Sequence, residues 1–220
     1  MLLNNGNRDR IHPWPGLFSF YKIILDTKHM KASHIIFAVL TTLSIQSHAV
    51  DIEAGKKKAE TCMACHGAGG NSVMPLIPVL AGQNARYLYL ELRDFKEGAR
   101  VNPMMSPMAA NLSKEDMQDL AAYFAAQTPT AIKFTADPAR VKLGFAKAEQ
   151  VLCSMCHLGG MKGQNEIPKL SGQHYEYIVK QLTDFRARNR TNDAGNMTAV
   201  SKNLTDDDII NLSQYIANIN

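Results

Sequence analysis

The stretch CMACH at residues 62–66 decides the fold of this chain, because it returns as CSMCH at residues 153–157. The sequence after it also returns, since PVLAGQ at 78–83 matches PKLSGQ at 168–173. Matching positions lie 90 to 92 residues apart throughout. This spacing is too long for the unit of a solenoid protein and suits a duplicated small domain, so we predict two tandem domains.

The apolar residues of both copies follow helical spacing, and neither copy contains an alternating segment long enough for a sheet. The middle helix of each copy carries an apolar stripe at positions i, i+4 and i+7: Leu88, Leu92 and Phe95 in the first, Ile178, Leu182 and Phe185 in the second. Residues 113–116 and 205–208 each pair a serine or threonine with an aspartate three residues later, which is typical of a helix start. We therefore predict an all-α chain in which each domain reads helix, loop, helix, loop, helix.

The repeat also divides the chain. We place an N-terminal extension at residues 1–49, the first domain at 50–130 and the second domain at 131–220. The linker is expected within residues 129–138, a stretch with two prolines, and the helix after it is expected to begin near Asp137.

A secretory signal peptide is predicted from Met30 to Ala49, and translation is expected to begin at its first residue. Its positive start is provided by Lys31, with Lys28 just before Met30; residues 35–45 form its apolar segment, and the sequence SHA is its cleavage site. The apolar segment is too short to span a membrane, which takes about 20 residues. An uncleaved N-terminal helix that anchors the protein to the membrane is the alternative. Export predicts a location in the periplasm.

Composition and charge exclude some classes of protein. With 45% hydrophobic and 20% charged residues, the chain has the composition of a globular protein and not of a disordered one. The first 49 residues hold five of the 24 basic and two of the 20 acidic residues, which leaves 19 against 18 in the remainder. A nearly neutral body gives no electrostatic reason to expect nucleic acid as a partner. The basic cluster at 186–190 is interpreted as an exposed helix face.

The C-x-x-C-H motif is the attachment signature of c-type haem. Its two thiols form thioether bonds to the two vinyl groups of one haem, and the adjacent histidine becomes the proximal ligand of the iron. A redox dithiol, a Cys₄ zinc site and structural disulfides are the alternatives. A redox dithiol is disfavoured because the chain has no βαβ pattern, and a Cys₄ zinc site is disfavoured because each cysteine pair lies in its own domain. Structural disulfides are disfavoured because they do not explain the histidine that follows each pair. We predict two covalently bound haem c groups.

Methionine is the candidate for the second axial ligand of each iron. Only three histidines follow residue 49, and two of them are the proximal ligands, so two histidines at each haem are impossible within one chain. Met197 lies seven residues before Leu204, as Met105 lies seven residues before Leu112. Met104, which is adjacent, stays open as the rival of Met105. The other methionines are interpreted as packing residues.

The predicted site contains no catalytic residue. The predicted haem-binding residues are Cys62, Cys65, His66, Met105, Cys153, Cys156, His157 and Met197, and the iron ligands among them are His66, Met105, His157 and Met197.

Further residues are candidates for support of these sites. Pro78 and Pro168 follow their histidines by 12 and 11 residues, and their carbonyls are candidates to accept the free N–H of the proximal imidazole. Ordinary loop prolines are the alternative. Tyr87 and Tyr177 either reach the haems or pack between the domains. His174 is interpreted as a surface residue.

On these motifs the chain resembles the cytochrome c4 family, the exported dihaem cytochromes c, from about residue 50 to residue 220. Beyond the repeated motifs, the resemblance includes QLTDFR at 181–186 and RTND at 190–193. It implies two cytochrome c-like domains related by a pseudo-twofold axis, with the haem edges near each other. It also implies the axial pairs His66 with Met105 and His157 with Met197.

The resemblance implies a carrier of electrons and not an enzyme. Its expected partners are redox proteins such as a quinol-oxidising complex and a terminal oxidase, with membrane contact only through partners or an uncleaved N-terminal segment. One alternative is the dihaem electron-accepting subunit of a flavoprotein sulfide dehydrogenase. Another is a dihaem enzyme, a peroxidase or a thiosulfate-oxidising cytochrome. An enzyme needs an open or exchangeable axial position, and a methionine in register at both haems argues against it.

Overall fold

The computed structural model describes residues 49–219, which form helices joined by loops and contain no strand. The all-α prediction is confirmed for these residues. Within this part of the chain no helix is long and apolar enough to cross a membrane. The predicted signal peptide lies outside the described residues except for Ala49.

The first domain contains four α-helices: α1 (Ile52–His66), α2 (Ala85–Glu97), α3 (Met105–Ala109) and α4 (Lys114–Ala125). The second contains five: α5 (Pro138–Gln150), α6 (Cys153–His157), α7 (Tyr175–Arg186), α8 (Asn196–Ser201) and α9 (Asp206–Ala217). In each domain the first long helix packs against the last one, α1 against α4 and α5 against α9. The boundary between the domains at residue 130 stays a prediction.

The helix starts follow the capping residues of the sequence. Both last helices begin with the predicted pair in a reciprocal capping box, in which Ser113 and Thr205 each accept a backbone N–H and the aspartate three residues later accepts the N–H of the cap. Helix α5 has Asp137 as its N-cap, as predicted, with proline in its first turn. These local interactions satisfy backbone donors that a helix end otherwise leaves unpaired.

Each domain has its own apolar core. The predicted stripes lie in these cores, where Leu88, Phe95, Ile178, Leu182 and Phe185 are buried and Leu92 packs at the margin. The last helix of each domain supplies an almost fully buried leucine, Leu120 in the first domain and Leu212 in the second, each only 1% exposed.

The two domains differ where the first helix approaches its cysteines. Helix α1 is continuous to His66, whereas two additional residues in the second copy separate α5 from α6. Leu152 lies at this break with a φ of 57°, a left-handed conformation that costs energy for a residue other than glycine. The sequence indicates where the two copies differ, because the segment from Gly144 to Cys153 is longer than the segment from Gly55 to Cys62.

A glycine allows each long helix pair to cross closely. A Cβ atom on Gly144 would lie 2.0 Å from the carbonyl oxygen of Asn211 and 2.8 Å from the Cβ of Tyr215. On Gly55 it would lie 2.2 Å from the carbonyl oxygen of Asp119. The helices must separate to admit a methyl group, so glycine is required at both crossings.

Gly144→Ala is expected to lower the free energy of unfolding by about 2 kcal/mol or more, because the added methyl group overpacks the contact of α5 with α9. The measurement is guanidinium unfolding of the holoprotein followed by circular dichroism. Gly159→Ala is the matched control, since a Cβ there meets no atom within 4 Å. An equal effect of the two substitutions would contradict the close crossing.

Candidate haem-binding sites

The first cysteine–histidine site lies in the last turn of α1. Cys62 packs at the margin of the first core, Cys65 is exposed, and His66 is buried with 5% exposure. Cysteines three positions apart on a helix lie on the same face. The motif therefore presents two thiols and one imidazole from a single helical turn.

The second site has the same arrangement on α6. Cys153 packs against the second core, Cys156 is exposed, and His157 is buried to the same extent as His66. The two sites match although α6 is a separate short helix. The break at Leu152 therefore leaves the local arrangement of the motif unchanged.

Each histidine is held by the carbonyl of the proline that the sequence singled out. The Nδ1 atom of His66 lies 2.9 Å from the carbonyl oxygen of Pro78, and that of His157 lies 2.9 Å from the carbonyl oxygen of Pro168. The predicted contacts are confirmed. With Nδ1 as the donor, Nε2 carries no proton and is the nitrogen that can bind a metal.

Burial favours the neutral form of both imidazoles. It lowers the pKa of His66 and of His157, although the proline carbonyls oppose this shift. A neutral imidazole is the form that binds iron. The fold therefore holds each ring in the tautomer and charge state of a ligand.

The predicted methionines lie on the short helices before the last helix of each domain. Met105 is the first residue of α3 and is half-buried, while Met104 is the residue before it and is exposed. Met197 lies in α8, where it is half-buried and packs against the second core. Burial matches Met105 with Met197, and the axial roles stay predictions.

The residues present fit covalently attached haem. All four cysteines are free thiols in this structure, so each pair is available to attach a haem. Each pair lies beside a buried histidine whose Nε2 is available. Among residues 49–219 no group of three or more histidine, cysteine or acidic side chains is placed to hold a metal ion.

Two glutamines join the domains beside these sites. The side chain of Gln173 pairs with the backbone of Val79 through two hydrogen bonds of 3.0 and 3.1 Å. Gln83 pairs with the backbone of Lys169 through two hydrogen bonds of 2.8 Å each. Because the positions match in the repeat, the two pairings are related by the duplication. They fix each glutamine against the segment that follows the proline of the other domain.

A second symmetric contact between the domains is built on two buried arginines. Arg100 and Arg190 each donate to both Glu91 and Gln181, which occupy the same position of the repeat. Each arginine also lies over the phenylalanine five residues before it in the chain, 4.7 and 4.6 Å from the ring centre. At this position the first copy has a glutamate and the second copy a glutamine. The two arginines therefore share the single carboxylate of Glu91.

The tyrosines complete this arginine contact. Arg100 donates to the hydroxyl of Tyr177 and Arg190 to that of Tyr87, both at 3.2 Å. Of the two predicted roles, packing between the domains is confirmed, and contact with the haems stays a prediction. Burial, together with Glu91, raises the pKa of Tyr87 to about 12, so its hydroxyl stays protonated.

Charge pairing decides the ionisation of the arginine contact. Burial opposes the charge of Glu91, but Arg190 and Arg100 outweigh it and hold the pKa of this carboxyl below its ordinary value. Burial likewise opposes the charge of Arg100, and Tyr177 and Glu91 outweigh it and raise its pKa. Glu91 and Arg100 are therefore both charged, and their opposite charges stabilise the arginine contact.

Two interpretations of the sequence are wrong. His174 is not a surface residue: it is 6% exposed and its Nε2 lies 2.9 Å from the carbonyl oxygen of Ser72 in the other domain. Arg190 does not lie on an exposed helix face, since it is 8% exposed. The contact between the domains covers both residues. The signal that could have found the arginines is their spacing of 90 residues, equal to that of the prolines.

Comparisons with known proteins agree with this organisation. The family model of cytochrome c matches residues 52–127 and 141–220. Cytochrome c4 of Pseudomonas aeruginosa is 41% identical over 196 residues, which cover 83% of this chain and 96% of that protein. The crystal structure of reduced recombinant cytochrome c4 from Pseudomonas stutzeri matches with a TM-score of 0.72 and 41% identity, over 78% of this chain and 100% of that one.

A more distant relative carries a different description. The thiosulfate dehydrogenase electron acceptor of Stutzerimonas stutzeri is 32% identical over 211 residues, 86% of this chain and 97% of that protein.

The two segments matched by the family model confirm the predicted internal duplication.

Proposed function

We propose that this chain, which belongs to the cytochrome c4 family of dihaem electron-transfer proteins, carries electrons between respiratory partners in the bacterial periplasm. As a member of this family it has two covalently bound haem c groups. In this role the protein receives electrons from a quinol-oxidising complex and passes them to a terminal oxidase. Export rests on the signal peptide predicted from the sequence.

One observation carries the proposal: each domain has its own buried histidine beside its own pair of free cysteines. His66 and His157 are both buried, and each is oriented by a proline carbonyl at 2.9 Å. When bound, each haem accepts and returns one electron. The chain therefore has two one-electron sites, which suits a carrier.

The side chains of this protein hold and orient its cofactors. Cys62 and Cys65 would anchor one haem, and Cys153 and Cys156 the other, so that neither is lost by dissociation. His66 and His157 would bind the irons through Nε2, with their rings fixed by Pro78 and Pro168. Both histidines are buried, each with 5% exposure, so little of either ring is open to water.

Met105 and Met197 would complete the coordination of the two irons. A thioether opposite an imidazole raises the reduction potential and leaves no open position for a substrate. This ligand set favours outer-sphere electron transfer over catalysis on a bound substrate.

Carbon monoxide tests this function directly. Adding it to the reduced, exported holoprotein is expected to leave the visible spectrum unchanged, because both irons hold two ligands from the chain. The control is the same addition to a cytochrome with an open axial position. A clear spectral shift would show an open or exchangeable position, and the protein would then be placed with the dihaem enzymes.

A second candidate partner comes from the similarity to a thiosulfate dehydrogenase electron acceptor. In this case the protein would receive electrons from a thiosulfate-oxidising enzyme and would remain a carrier. Stopped-flow reduction by such an enzyme and by a quinol-oxidising complex distinguishes the two donors. Faster reduction by the first would favour this second candidate. Co-purification with a flavoprotein would instead favour the sulfide dehydrogenase subunit.

A further inference from the structure

We propose that Gln173 and Gln83 are positioning residues that tune the proximal histidine of the opposite domain, and through it the reduction potential of the opposite haem. The inference rests on the proposed roles of His66 and His157 as iron ligands. It assigns a role to the glutamine of each repeated GQ dipeptide that the electron-carrier function itself does not require.

One peptide group of the first domain takes part in two hydrogen bonds, one to a histidine and one to a glutamine. The carbonyl of Pro78 and the N–H of Val79 belong to the same peptide unit. Its oxygen lies 2.9 Å from Nδ1 of His66, and its N–H donates to Oε1 of Gln173 at 3.0 Å. A continuous chain of hydrogen bonds therefore runs from the imidazole of the first domain to a glutamine of the second.

The second domain contains the same chain in reverse. The carbonyl oxygen of Pro168 lies 2.9 Å from Nδ1 of His157, and the N–H of Lys169 in that peptide unit donates to Oε1 of Gln83 at 2.8 Å. Each proximal histidine is thus connected to a glutamine of the other domain. The arrangement is crossed, because Gln173 of the second domain is linked to His66 and Gln83 of the first domain is linked to His157.

The backbone fixes the orientation of both glutamine amides. Gln173 also donates from Nε2 to the carbonyl of Val79, and Gln83 donates from Nε2 to that of Lys169. If the oxygen and nitrogen of either side-chain amide were exchanged, its NH₂ group would face the backbone N–H, donor against donor. Its oxygen would then face the backbone carbonyl, acceptor against acceptor. Both side chains are 7% exposed, so water does not replace these bonds. Oε1 is therefore the acceptor for the peptide N–H.

Linked hydrogen bonds strengthen one another in a low-dielectric interior. When Oε1 accepts the peptide N–H, the carbonyl of that peptide becomes a better acceptor for the imidazole N–H. The imidazole then becomes a more basic ligand, and a more basic ligand stabilises the oxidised iron. Loss of the glutamine is expected to raise the reduction potential of the haem in the opposite domain.

The experiment uses the dihaem holoprotein with Gln173→Leu, its mirror Gln83→Leu and the control His174→Ala. Potentiometric titration followed by NMR of the haem methyl groups resolves the two haems. In Gln173→Leu the electron is expected to shift toward the haem of the first domain, with a change of about two- to tenfold in the equilibrium between the haems. Gln83→Leu is expected to shift it the same amount toward the second domain.

The control removes an interdomain hydrogen bond that touches neither peptide. The side chain of His174 bonds the carbonyl of Ser72 at 2.9 Å, whereas its backbone N–H donates to Oε1 of Gln173 at 3.1 Å and is kept in alanine. The substitution therefore loosens the same interface without breaking either chain of hydrogen bonds. It is expected to leave the equilibrium between the haems unchanged. Equal shifts in all three variants, or a shift in the domain that carries the substitution, would overturn the proposal.

A measurement on the unaltered protein covers the case in which the leucine variants do not fold. In partly deuterated water, deuterium on the amide of Val79 is expected to move the Nδ1–H resonance of His66 in the reduced protein. Absence of this transmitted isotope shift would overturn the proposal. Loss of the carrier function itself is distinguishable, because it would appear as carbon monoxide binding to the wild-type protein.

Discussion

Replacing Met105 with leucine is expected to let the reduced protein bind carbon monoxide at one of its two haems. Leucine has nearly the same volume as methionine but offers no sulfur to the iron, so the sixth position opens while the packing is kept. The potential of that haem is expected to fall by on the order of 0.1 V, because the thioether ligand raises it. The measurements are the visible spectrum with carbon monoxide and a potentiometric titration.

Met104→Leu is the matched control, because Met104 is the neighbouring methionine and the rival ligand. It is exposed, whereas Met105 is half-buried like Met197 in the second domain. This control is expected to leave both irons closed to carbon monoxide. If Met104→Leu opens a haem to carbon monoxide and Met105→Leu does not, Met104 is the ligand in the first domain. The alignment of the two copies would then be wrong by one residue there.

Replacing Glu91 with glutamine is expected to lower the free energy of unfolding by about 3 kcal/mol at pH 7, because it leaves two buried arginines without their shared carboxylate. Glu91 accepts from Arg100 and, at 2.6 Å, from Arg190. A glutamine at this position offers one oxygen, and its NH₂ group faces a guanidinium. The measurement is guanidinium unfolding of the holoprotein at pH 7 and again at acid pH.

The pH dependence of this effect has a definite sign. The arginines hold the pKa of Glu91 below its ordinary value of 4.5, so its stabilisation is present above that value. It is lost as the pH falls through the lower pKa of the folded protein, where the carboxylate becomes protonated. The difference between wild type and Glu91→Gln is therefore expected to shrink in acid.

Glu97→Gln is the control for this prediction, since Glu97 lies on the same helix α2. Its side chain is 62% exposed and lies 3.7 Å from Arg93. A pair of this kind contributes less than about 1 kcal/mol. Equal losses of stability in the two variants, or a Glu91→Gln effect that grows toward acid pH, would contradict the role assigned to the arginine contact.

Features that depend on nearby residues could be predicted from the sequence. The capping boxes at Ser113 and Thr205 need partners only three residues away. The histidine contacts with Pro78 and Pro168 are also short in sequence, at 12 and 11 residues. Such features lie within one domain, and the repeat provides a second copy against which each can be checked.

The buried position of His174 and Arg190 could not be predicted in this way. Their partners lie in the other domain, His174 with Ser72 and Arg190 with Glu91, at separations of 102 and 99 residues. Neither residue stands in an apolar pattern that marks it as buried. A polar residue at an interface has the same sequence signature as one in solvent, because its burial depends on a partner that is distant in the chain.

The sequence by itself determined that this chain has two copies of a helical domain, each with two cysteines and a histidine for one haem. It could do so because covalent attachment requires those residues at a fixed spacing within one helical turn. Only the tertiary structure decided how the two sites are joined. Gln83 and Gln173 each bind the backbone of the opposite domain, and such pairings arise only when packing brings together segments 86 and 94 residues apart.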